Sequence, residues 1–378
     1  MTRILSISFS PLRRDSRVLR QLAVLREFGD VTTVGYGAAP DGVAAHVEVP
    51  EKAASLPQTP GGVLRLALRM HGSVELRAPG ERAALAQLSG LPPFDLVVAN
   101  DARALPLAFA VAHGAPIWAD LHEWAPAENS TVLSWRLLVG PYMDALCRKY
   151  LPRVAAATVV GGAIGTLYHD RYGIPTPALV RNAGPWKDLA PSPVDPGRVR
   201  LVHSGIAVPE RNIEALIDTV AKLDDRFTLD LYLVGTEAYL AKLTARAAGS
   251  RRITFHAPVH PTALPATLNG YDLGVYLLPL RTLNHRLMLP NKFFDFVQAR
   301  LGQLISPAEE TSALIAQYGL GPALPDHSVD GLVAALSPLT DDDVRAFKQH
   351  AHDAAHDLSS ASDEATMRDV VGRLTRTA

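Results

Sequence analysis

The chain has 378 residues, a length that favours two domains of roughly 150–200 residues each over a single core. Hydrophobic residues make up 48% of the sequence, enough to fill both cores. The formal net charge of −1 gives no overall field that would attract nucleic acid, so we expect no nucleic-acid partner. The single cysteine, Cys147, leaves no intramolecular disulfide, and no apolar run approaches the ~20 residues of a membrane span. These properties predict a cytoplasmic protein.

The first half of the chain alternates short apolar runs with helical patterns. Strands are predicted at five positions, Ile4–Phe9, Val31–Tyr36, Asp95–Ala99, Pro116–Leu121 and Ala157–Val160. Helices are predicted over Arg17–Phe28, where apolar residues recur at helical spacing before Gly29, and over Leu105–Ala112. Short buried strands that alternate with helices are typical of a parallel α/β sheet. Residues 1–182 are therefore predicted to form one Rossmann-like domain.

A proline-rich stretch separates this half from the next. Residues 183–199 contain four prolines and little periodicity, so we predict a linker there. The α/β pattern then restarts and predicts a second Rossmann-like domain over residues 200–355. Its predicted strands are Arg200–His203, Leu229–Val234, Ile253–His256, Leu273–Leu278 and Gln303–Ile305, and its clearest helices are Ile213–Leu223 and Lys292–Ala299. The tail is polar and mostly helical, and residues 356–378 could cross back to the first domain as a C-terminal helix.

The segment 284–296 carries the strongest chemical signal. Pro290 fits the first turn of a helix, because the N–H that it lacks would be unpaired there in any case. The backbone N–H groups of Asn291 to Phe293 would then be free to face an anion, and Lys292 adds positive charge. Asp295 lies one turn further on, where a carboxylate could accept two hydrogen bonds from a ribose diol. The alternative is an ordinary amphipathic helix that buries its phenylalanines.

A second segment, residues 203–217, reads HSGIAVPERNIEALI. Gly205 follows a predicted strand and permits close approach of the backbone to a ligand. Arg211 precedes a predicted helix, a position from which it could pair with a diphosphate. The alternative is a strand–helix loop with a solvated arginine.

A third segment, Asp120-Leu121-His122-Glu123, ends a predicted strand. At the carboxyl end of a parallel strand, His122 could hydrogen-bond a sugar hydroxyl or a reacting group. The alternative is a histidine with a purely structural role.

The first strand–helix loop is a fourth candidate. It reads SPLRRDSR and ends at Arg17, so it is polar, charged and next to a predicted helix. The alternative is that Asp15 or Ser16 is simply the helix N-cap.

These segments resemble retaining GT-B glycosyltransferases of family 4. The stretch PNKFFDFVQARLGQLIS is similar to the family's PNKxFEYxxxGxPxI, and Gly205 with Arg211 resembles its strand–Gly–loop–Arg segment. DLHE resembles the family's DxHE or DxHD histidine segment, and DSRV resembles its first loop. The resemblance covers nearly the whole chain, with the motifs in the family's order.

The resemblance implies an α/β GT-B fold, in which two Rossmann-like domains with parallel sheets face a central cleft. It implies transfer of a glycosyl group from a nucleotide diphosphate sugar with retained anomeric configuration, to an acceptor that the sequence does not identify. The N-terminal domain would bind the acceptor and the C-terminal domain the donor. The implied site residues are His122 for catalysis, Gly205, Arg211, Asn291 and Lys292 for the donor diphosphate, Asp295 for the ribose, and Arg14, Asp15, Arg17 and Glu123 for the acceptor loop.

Two positions depart from the family pattern. The family's signature is Glu-x7-Glu; its second acid matches Asp295, but its first falls on Leu287, which cannot bind a sugar hydroxyl. Asn212 stands where a phosphate-binding lysine is common. There is no Asp-x-Asp motif, and the 13 histidines lack ligand spacing. We therefore expect no metal and no cofactor, with Arg211 and Lys292 balancing the diphosphate charge.

Two apolar, arginine-bearing segments could contact a membrane or a lipid-linked acceptor. Val63–Met70 places Arg65 and Arg69 on one face, and Leu133–Arg153 mixes aromatic and basic residues. Such contact would place the protein at the inner face of a membrane. The alternative that we favour is that both helices pack on the N-terminal sheet with their arginines solvated.

Two other functions compete with glycosyl transfer. One is a GT-B-shaped epimerase, which needs acid/base carboxylates, or a phosphorylase, which would need a pyridoxal-phosphate lysine that we do not find. The other is a non-catalytic homologue that binds nucleotide sugars, an alternative that Leu287 keeps open.

Overall fold

The computed structural model describes residues 2–376, and the chain divides into two compact units. The first unit runs to Arg181 and takes up the chain again at Asp363. The second unit is Asn182–Ser362. The second unit thus includes the proline-rich segment 183–199, for which we predicted a linker.

Hydrogen bonds explain why this proline-rich segment is part of the second unit. Arg300 donates from Nη2 to the carbonyl oxygen of Lys187 (2.5 Å), and the Lys187 N–H donates to Gln298 (3.0 Å). Ser192 donates to the carbonyl oxygen of Asn269 (2.5 Å). Regular periodicity is absent from the segment, yet its backbone is held by side chains distant in sequence.

The first unit is built on a parallel sheet of seven strands in the order β3-β2-β1-β4-β5-β6-β7. The strands are β1 (Thr2–Pro11), β2 (Gly29–Tyr36), β3 (Ala45–Val49), β4 (Leu96–Asn100), β5 (Ile117–Leu121), β6 (Ala156–Val159) and β7 (Ala178–Leu179). Every residue of β4 and β5 is buried, as expected for strands covered on both faces. The sequence pattern predicted five of these strands and missed β3 and β7.

Helices accompany this sheet. They are α1 (Ser16–Leu25), α2 (Pro60–Ala67), α3 (Pro79–Leu88), α4 (Leu105–Val111), α5 (Gly140–Tyr150) and α6 (Gly162–Tyr172), with a π-helix at Trp135–Val139. Asp15 caps α1 by accepting a hydrogen bond from the N–H of Val18 (3.1 Å). The apolar side of α1 shares one core with Met367, Val370 and Val371, so the C-terminal part of the chain is built into the first unit.

The second unit contains a parallel sheet of five strands in the order β10-β9-β8-β11-β12. The strands are β8 (Val199–Ala207), β9 (Phe227–Gly235), β10 (Ile253–His256), β11 (Leu273–Tyr276) and β12 (Gly302–Ile305). All five lie at predicted positions. Reversal of the strand order around the first strand of each unit is the doubly wound pattern, which collects ligand-binding loops at the carboxyl ends of the strands.

Helices also accompany the sheet of the second unit. They are α7 (Ile213–Lys222), α8 (Glu237–Arg246), α9 (Leu264–Leu268), α10 (Leu283–Arg286), α11 (Asn291–Gln298), α12 (Glu309–Tyr318), α13 (Val329–Leu336), α14 (Asp341–Ala354) and α15 (Ser360–Arg376), the last of which continues into the first unit. Pro290 is the N-cap of α11 rather than its first helical residue, because its ψ of 150° is extended. Phe296 lies directly over Gly274 of β11, where a Cβ would meet the ring at 2.3 Å. This close packing fixes α11 against the sheet.

Candidate functional site

Three residues predicted to bind a diphosphate converge in the second unit. Gly205 lies near the carboxyl end of β8 with a φ of +150°, which side-chain-bearing residues rarely adopt. A Cβ placed on Gly205 would lie 3.4 Å from Nη1 of Arg211 and 3.6 Å from Cε of Lys292. The glycine therefore leaves space beside two cationic side chains that are 81 positions apart in the sequence.

Arg211 ends the short 3-10 helix Pro209–Arg211, and Asn212 turns the chain into α7 with a left-handed backbone (φ +50°). The guanidinium carbon of Arg211 lies 5.8 Å from the centroid of the Tyr276 ring, a cation–π contact. Within residues 2–376 no carboxylate forms an ion pair with Arg211, although most ion pairs of this chain involve an arginine. Its charge is thus available to an anion.

Lys292 and Asp295, predicted to hold different parts of a nucleotide, contact each other. Nζ of Lys292 lies 2.9 Å from Oδ2 of Asp295, and the two side chains are 17% and 28% exposed. Both are in the first turns of α11. The N–H of Phe293, which we expected to be free, donates to the carbonyl oxygen of Pro290 (2.9 Å), so the free N–H groups at this helix end are those of Asn291 and Lys292. A phosphate bound here would therefore contact a lysine that is already paired with the Asp295 carboxylate.

His203 is a site residue that the sequence interpretation missed. Its side chain is fully buried, and Nδ1 donates to the carbonyl oxygen of Val275 at 2.8 Å, so the proton is on Nδ1. Nε2 has no hydrogen-bond partner in the described part of the chain and lies 4.0 Å from the Cβ position of Gly205. Burial, with the positive charges of Lys292 and Arg211, lowers the pKa of His203 to about 4. The ring is a neutral acceptor that faces the same space as the two cations.

The signal for His203 was present in the sequence. Residues two apart in a strand face the same side of a sheet, so a histidine two positions before Gly205 lies on the glycine's side. Leu287, by contrast, offers no polar side-chain group, as its type indicates: it is the C-cap that follows α10 and is 6% exposed.

In the first unit, Arg17 and Asp120 form a buried ion pair. Arg17 donates from Nε and Nη2 to the two carboxylate oxygens of Asp120 (2.9 and 2.5 Å) and from Nη1 to the carbonyl oxygen of Val180 (2.7 Å). Thr158 donates a further hydrogen bond to Asp120 at 2.6 Å. Burial alone would raise the pKa of Asp120, but Arg17 and His122 outweigh it and hold that pKa well below its usual range.

The structure corrects the expected role of Arg17. We expected it in an acceptor-binding loop, whereas it lies in the first turn of α1, 5% exposed, with its guanidinium held by Asp120 and backbone carbonyls. A buried arginine with this set of partners positions Asp120 and is not presented to an acceptor.

His122 lies between two carboxylates. Its Nδ1 is 3.3 Å from Oδ2 of Asp101, and its Nε2 is 3.4 Å from Oδ2 of Asp120. Burial lowers the pKa of His122, but Asp101 and Asp120 more than reverse this, so the net direction is upward. The ring is 18% exposed, and the neighbouring Asp101 side chain is 34% exposed.

Asp101 was also missed from the sequence. It follows β4 directly and has a positive φ of 66°, and its Oδ1 accepts the backbone N–H of His122 at 2.9 Å. Asn100 pairs with Asp120 in the parallel register of β4 and β5, so the residues after them must be neighbours. Recognising Asp101 therefore required the strand order.

The remaining predicted residues of the acceptor loop lie in this unit. Asp15 is the N-cap of α1, the structural alternative considered for it, and also accepts from Ser10 at 2.7 Å. Arg14 is exposed.

Glu123 has a raised pKa. Desolvation, together with the carboxylates of Glu128 and Asp101, raises the pKa of Glu123 to about 7, although the residue as a whole stays exposed.

No group of three or more His, Cys, Asp or Glu side chains in residues 2–376 is arranged to hold a metal ion. No helix in that same range is long and apolar enough to cross a membrane.

The two doubly wound parallel sheets define the fold as GT-B, the fold of the solved glycosyltransferases that the chain matches over nearly its whole length. Sucrose-phosphate synthase from Thermosynechococcus elongatus aligns with a TM-score of 0.70 at 12% identity, over 100% of both chains. HepE from Anabaena, in complex with UDP and glucose, aligns with a TM-score of 0.66 at 12% identity, over 99% of this chain and 100% of that one.

A variant of TarM from S. aureus, in complex with fondaparinux, α-GlcNAc-glycerol and UDP, aligns with a TM-score of 0.61 at 13% identity. This alignment covers 79% of the present chain and 59% of the TarM chain. No protein-family model matches the chain, and no curated protein matches it in sequence.

Proposed function

We propose that this protein is a glycosyltransferase that moves a sugar from a nucleotide diphosphate sugar to an acceptor, with retention of anomeric configuration. The observation that carries the proposal is the convergence of Gly205, Arg211 and Lys292 at the carboxyl end of β8. The second unit would bind the donor, and the first unit would bind the acceptor. The fold shared with solved glycosyltransferases, two of them in complex with UDP, supports the same assignment.

The donor site follows from the charges of these residues. A diphosphate brings at least two negative charges, and Arg211, which has no ion-pair partner among residues 2–376, lies beside the open Cα of Gly205. Lys292 contributes a second cation, and the N–H groups of Asn291 and Lys292 at the start of α11 add partial positive charge. Asp295 would keep its ion pair with Lys292 through Oδ2 and would accept hydrogen bonds from the ribose hydroxyls at Oδ1. In this proposal the two cations stabilise the leaving diphosphate without a metal.

In the proposed reaction the bond between the anomeric carbon and the diphosphate breaks, and the acceptor oxygen bonds to that carbon from the same face. The acceptor's proton leaves with the diphosphate, so atoms and charge balance. Positive charge develops on the sugar, and we propose that His122 is the catalytic residue that orients it. Both ring nitrogens of His122 face carboxylates. A sugar hydroxyl would therefore replace one carboxylate as the partner of the ring, and we propose that it replaces Asp101, which is the more exposed of the two.

A second function is favoured by one observation. Leu287 is buried where the family resemblance calls for an acid that binds the donor sugar. A protein that binds nucleotide sugars without turning them over would tolerate this leucine.

Release of nucleotide from UDP-, GDP-, dTDP- and ADP-sugars, measured with and without candidate acceptors, separates the two functions. We expect turnover of one donor class and its loss in Arg211→Ala. Binding without turnover for every donor would instead support the non-catalytic protein. Analysis of the product anomer tests retention, and an inverted product or an epimerised sugar would overturn that part of the proposal.

A further inference from the structure

The first unit exposes large hydrophobic side chains in two segments that lie side by side. Of the twelve exposed large hydrophobic residues in the described part of the chain, seven occur there: Val63, Leu64, Leu68, Met70, Val132, Leu133 and Leu137. Arg69 joins the segments by donating from Nη1 to the carbonyl oxygen of Leu137 (2.9 Å). We call these seven residues the apolar face. Scattered exposed hydrophobics are ordinary on a protein surface, whereas a contiguous group marks an interaction site.

The orientation of α2 creates this face. The helix buries Leu66, and Gly62 lies against the carbonyl oxygen of Pro57, where a Cβ would approach to 2.3 Å. That contact leaves Leu64 and Leu68 on the outside, 60% and 61% exposed. The helix therefore does not cover its apolar residues by packing on the sheet, which was the alternative we favoured from the sequence.

A cavity lined by arginines adjoins α2. Its volume is about 370 Å³, and its charged lining consists of Arg65, Arg77 and Arg82, with Thr59 as a polar neighbour and no carboxylate. Among residues 2–376, none of these three arginines forms an ion pair. Arg65 belongs to α2 itself, so a positive cavity and an apolar surface share one helix.

We propose that this side of the first unit docks on an anionic phospholipid bilayer. The apolar face enters the boundary between headgroups and acyl chains, and the arginine cavity takes a lipid phosphate. Charge decides between a bilayer and a second copy of the chain. A symmetric dimer through this face would bring together two cavities that are each lined by three arginines and, among the described residues, by no carboxylate. The inference rests only on the first unit and does not depend on the proposed transfer reaction.

Co-sedimentation of the full chain with vesicles tests the proposal. The vesicles are phosphatidylcholine alone, and phosphatidylcholine with roughly a third phosphatidylglycerol. We expect the wild type to bind the anionic vesicles at least about tenfold more tightly and to be released by high salt, since each basic residue near an anionic surface contributes roughly a fivefold factor. Equal binding to both vesicles, or binding to neither, would overturn the proposal.

Two double variants test the two halves of the surface. Leu64→Glu/Leu68→Glu and Arg65→Glu/Arg77→Glu should each lower the partition coefficient by about tenfold or more. Leu91→Glu and Arg251→Glu, which alter an exposed leucine and an exposed arginine elsewhere, should bind as the wild type does. Melting temperatures confirm that each variant folds, and Leu64→Gln/Leu68→Gln replaces the first pair if it does not. Unchanged binding by a folded double variant would refute the assignment, as would a lipid-free dimer that only the leucine variant dissociates.

Discussion

His203 is completely buried and lies beside two cations, so its pKa is lower in the folded protein than in the unfolded chain. Its folded pKa is about 4, against 6.5 for an unperturbed histidine. The unfolded chain therefore binds more protons between these values, so folding stability rises with pH across that window. Above pH 6.5 the histidine is neutral in both states and does not affect the free energy of unfolding. As the pH falls from 6.5 towards 4, protonation of the unfolded chain lowers the free energy of unfolding by about 3 kcal/mol.

Replacement by a group that does not titrate tests this assignment. His203→Gln should flatten the pH dependence of unfolding between those two pKa values, by an amount of the same order. Urea unfolding of both proteins across that range measures the difference. Identical slopes in the two proteins would show that His203 is not held neutral.

His122 lies between Asp101 and Asp120, and its contacts allow both a catalytic and a structural role. We predict that His122→Ala lowers kcat by roughly 10²-fold and leaves nucleotide affinity nearly unchanged, because the diphosphate residues belong to the second unit. His169→Ala is the matched control, since that ring donates to the backbone oxygen of Ile174 at 2.7 Å, a structural contact. A destabilised His122→Ala protein with near-normal kcat would identify a structural histidine instead.

Among single residues, the sequence predicted which side chains belong to the candidate site better than it predicted the contacts that those side chains make. Gly205, Arg211 and Lys292 were predicted from local motifs, and the fold brings them together. The contacts of Arg17 with Asp120 and of Asp101 with His122 depend on which strands are neighbours, and a motif does not contain that information.

At the scale of elements, the carboxyl end of β8 depends on Gly205 having no side chain. Gly205→Ala introduces a Cβ beside Arg211 and Lys292 at a φ of +150°, which costs about 1–3 kcal/mol of strain. We predict at least about tenfold weaker nucleotide binding, because the new methyl group occupies the proposed phosphate position. Calorimetric titration measures it, with Gly270→Ala as control, where the nearest atom is 3.9 Å away. Wild-type affinity in Gly205→Ala would remove the glycine from the site.

Helix α15 is expected to hold the first unit together from the end of the chain. Met367 is 3% exposed in the core that it shares with α1, so Met367→Ala should destabilise that unit by about 2–5 kcal/mol. Met70→Ala, at a methionine that is 49% exposed, should change stability by less than about 0.5 kcal/mol. Chemical unfolding of both variants makes the comparison. Equal effects would contradict the core position of α15.

Element prediction succeeded where hydrophobic runs were long and failed at the sheet edges. β3 and β7 are the outer strands of the first sheet, and β7 has only two residues, too few for a period to show. The pattern predicted a helix over Lys292–Ala299 with Pro290 in its first turn, whereas α11 begins at Asn291 and Pro290 is its N-cap. A proline fits both positions, and only its backbone angles distinguish them.

At the scale of the whole molecule, the two α/β halves and their common architecture were predicted from the repeated strand–helix pattern. The return of the chain to the first unit at Asp363 and the attachment of residues 183–199 to the second unit arise from long-range contacts. Composition favours a linker wherever prolines cluster, but Arg300, which holds Lys187, is more than one hundred positions away.

We propose that the second unit binds a nucleoside diphosphate through Arg211 and Lys292 without a metal. Calorimetric titration with UDP, GDP, dTDP and ADP in the presence of EDTA tests it most directly. We predict that at least one nucleotide binds, and that Arg211→Ala and Lys292→Ala each weaken it by roughly 10–100-fold, the worth of a charge-assisted hydrogen bond. Lys222→Ala, at an exposed lysine paired with Asp330, should bind as the wild type does. Binding that requires added Mg²⁺ or Mn²⁺, or that survives unchanged in both site variants, would contradict the claim.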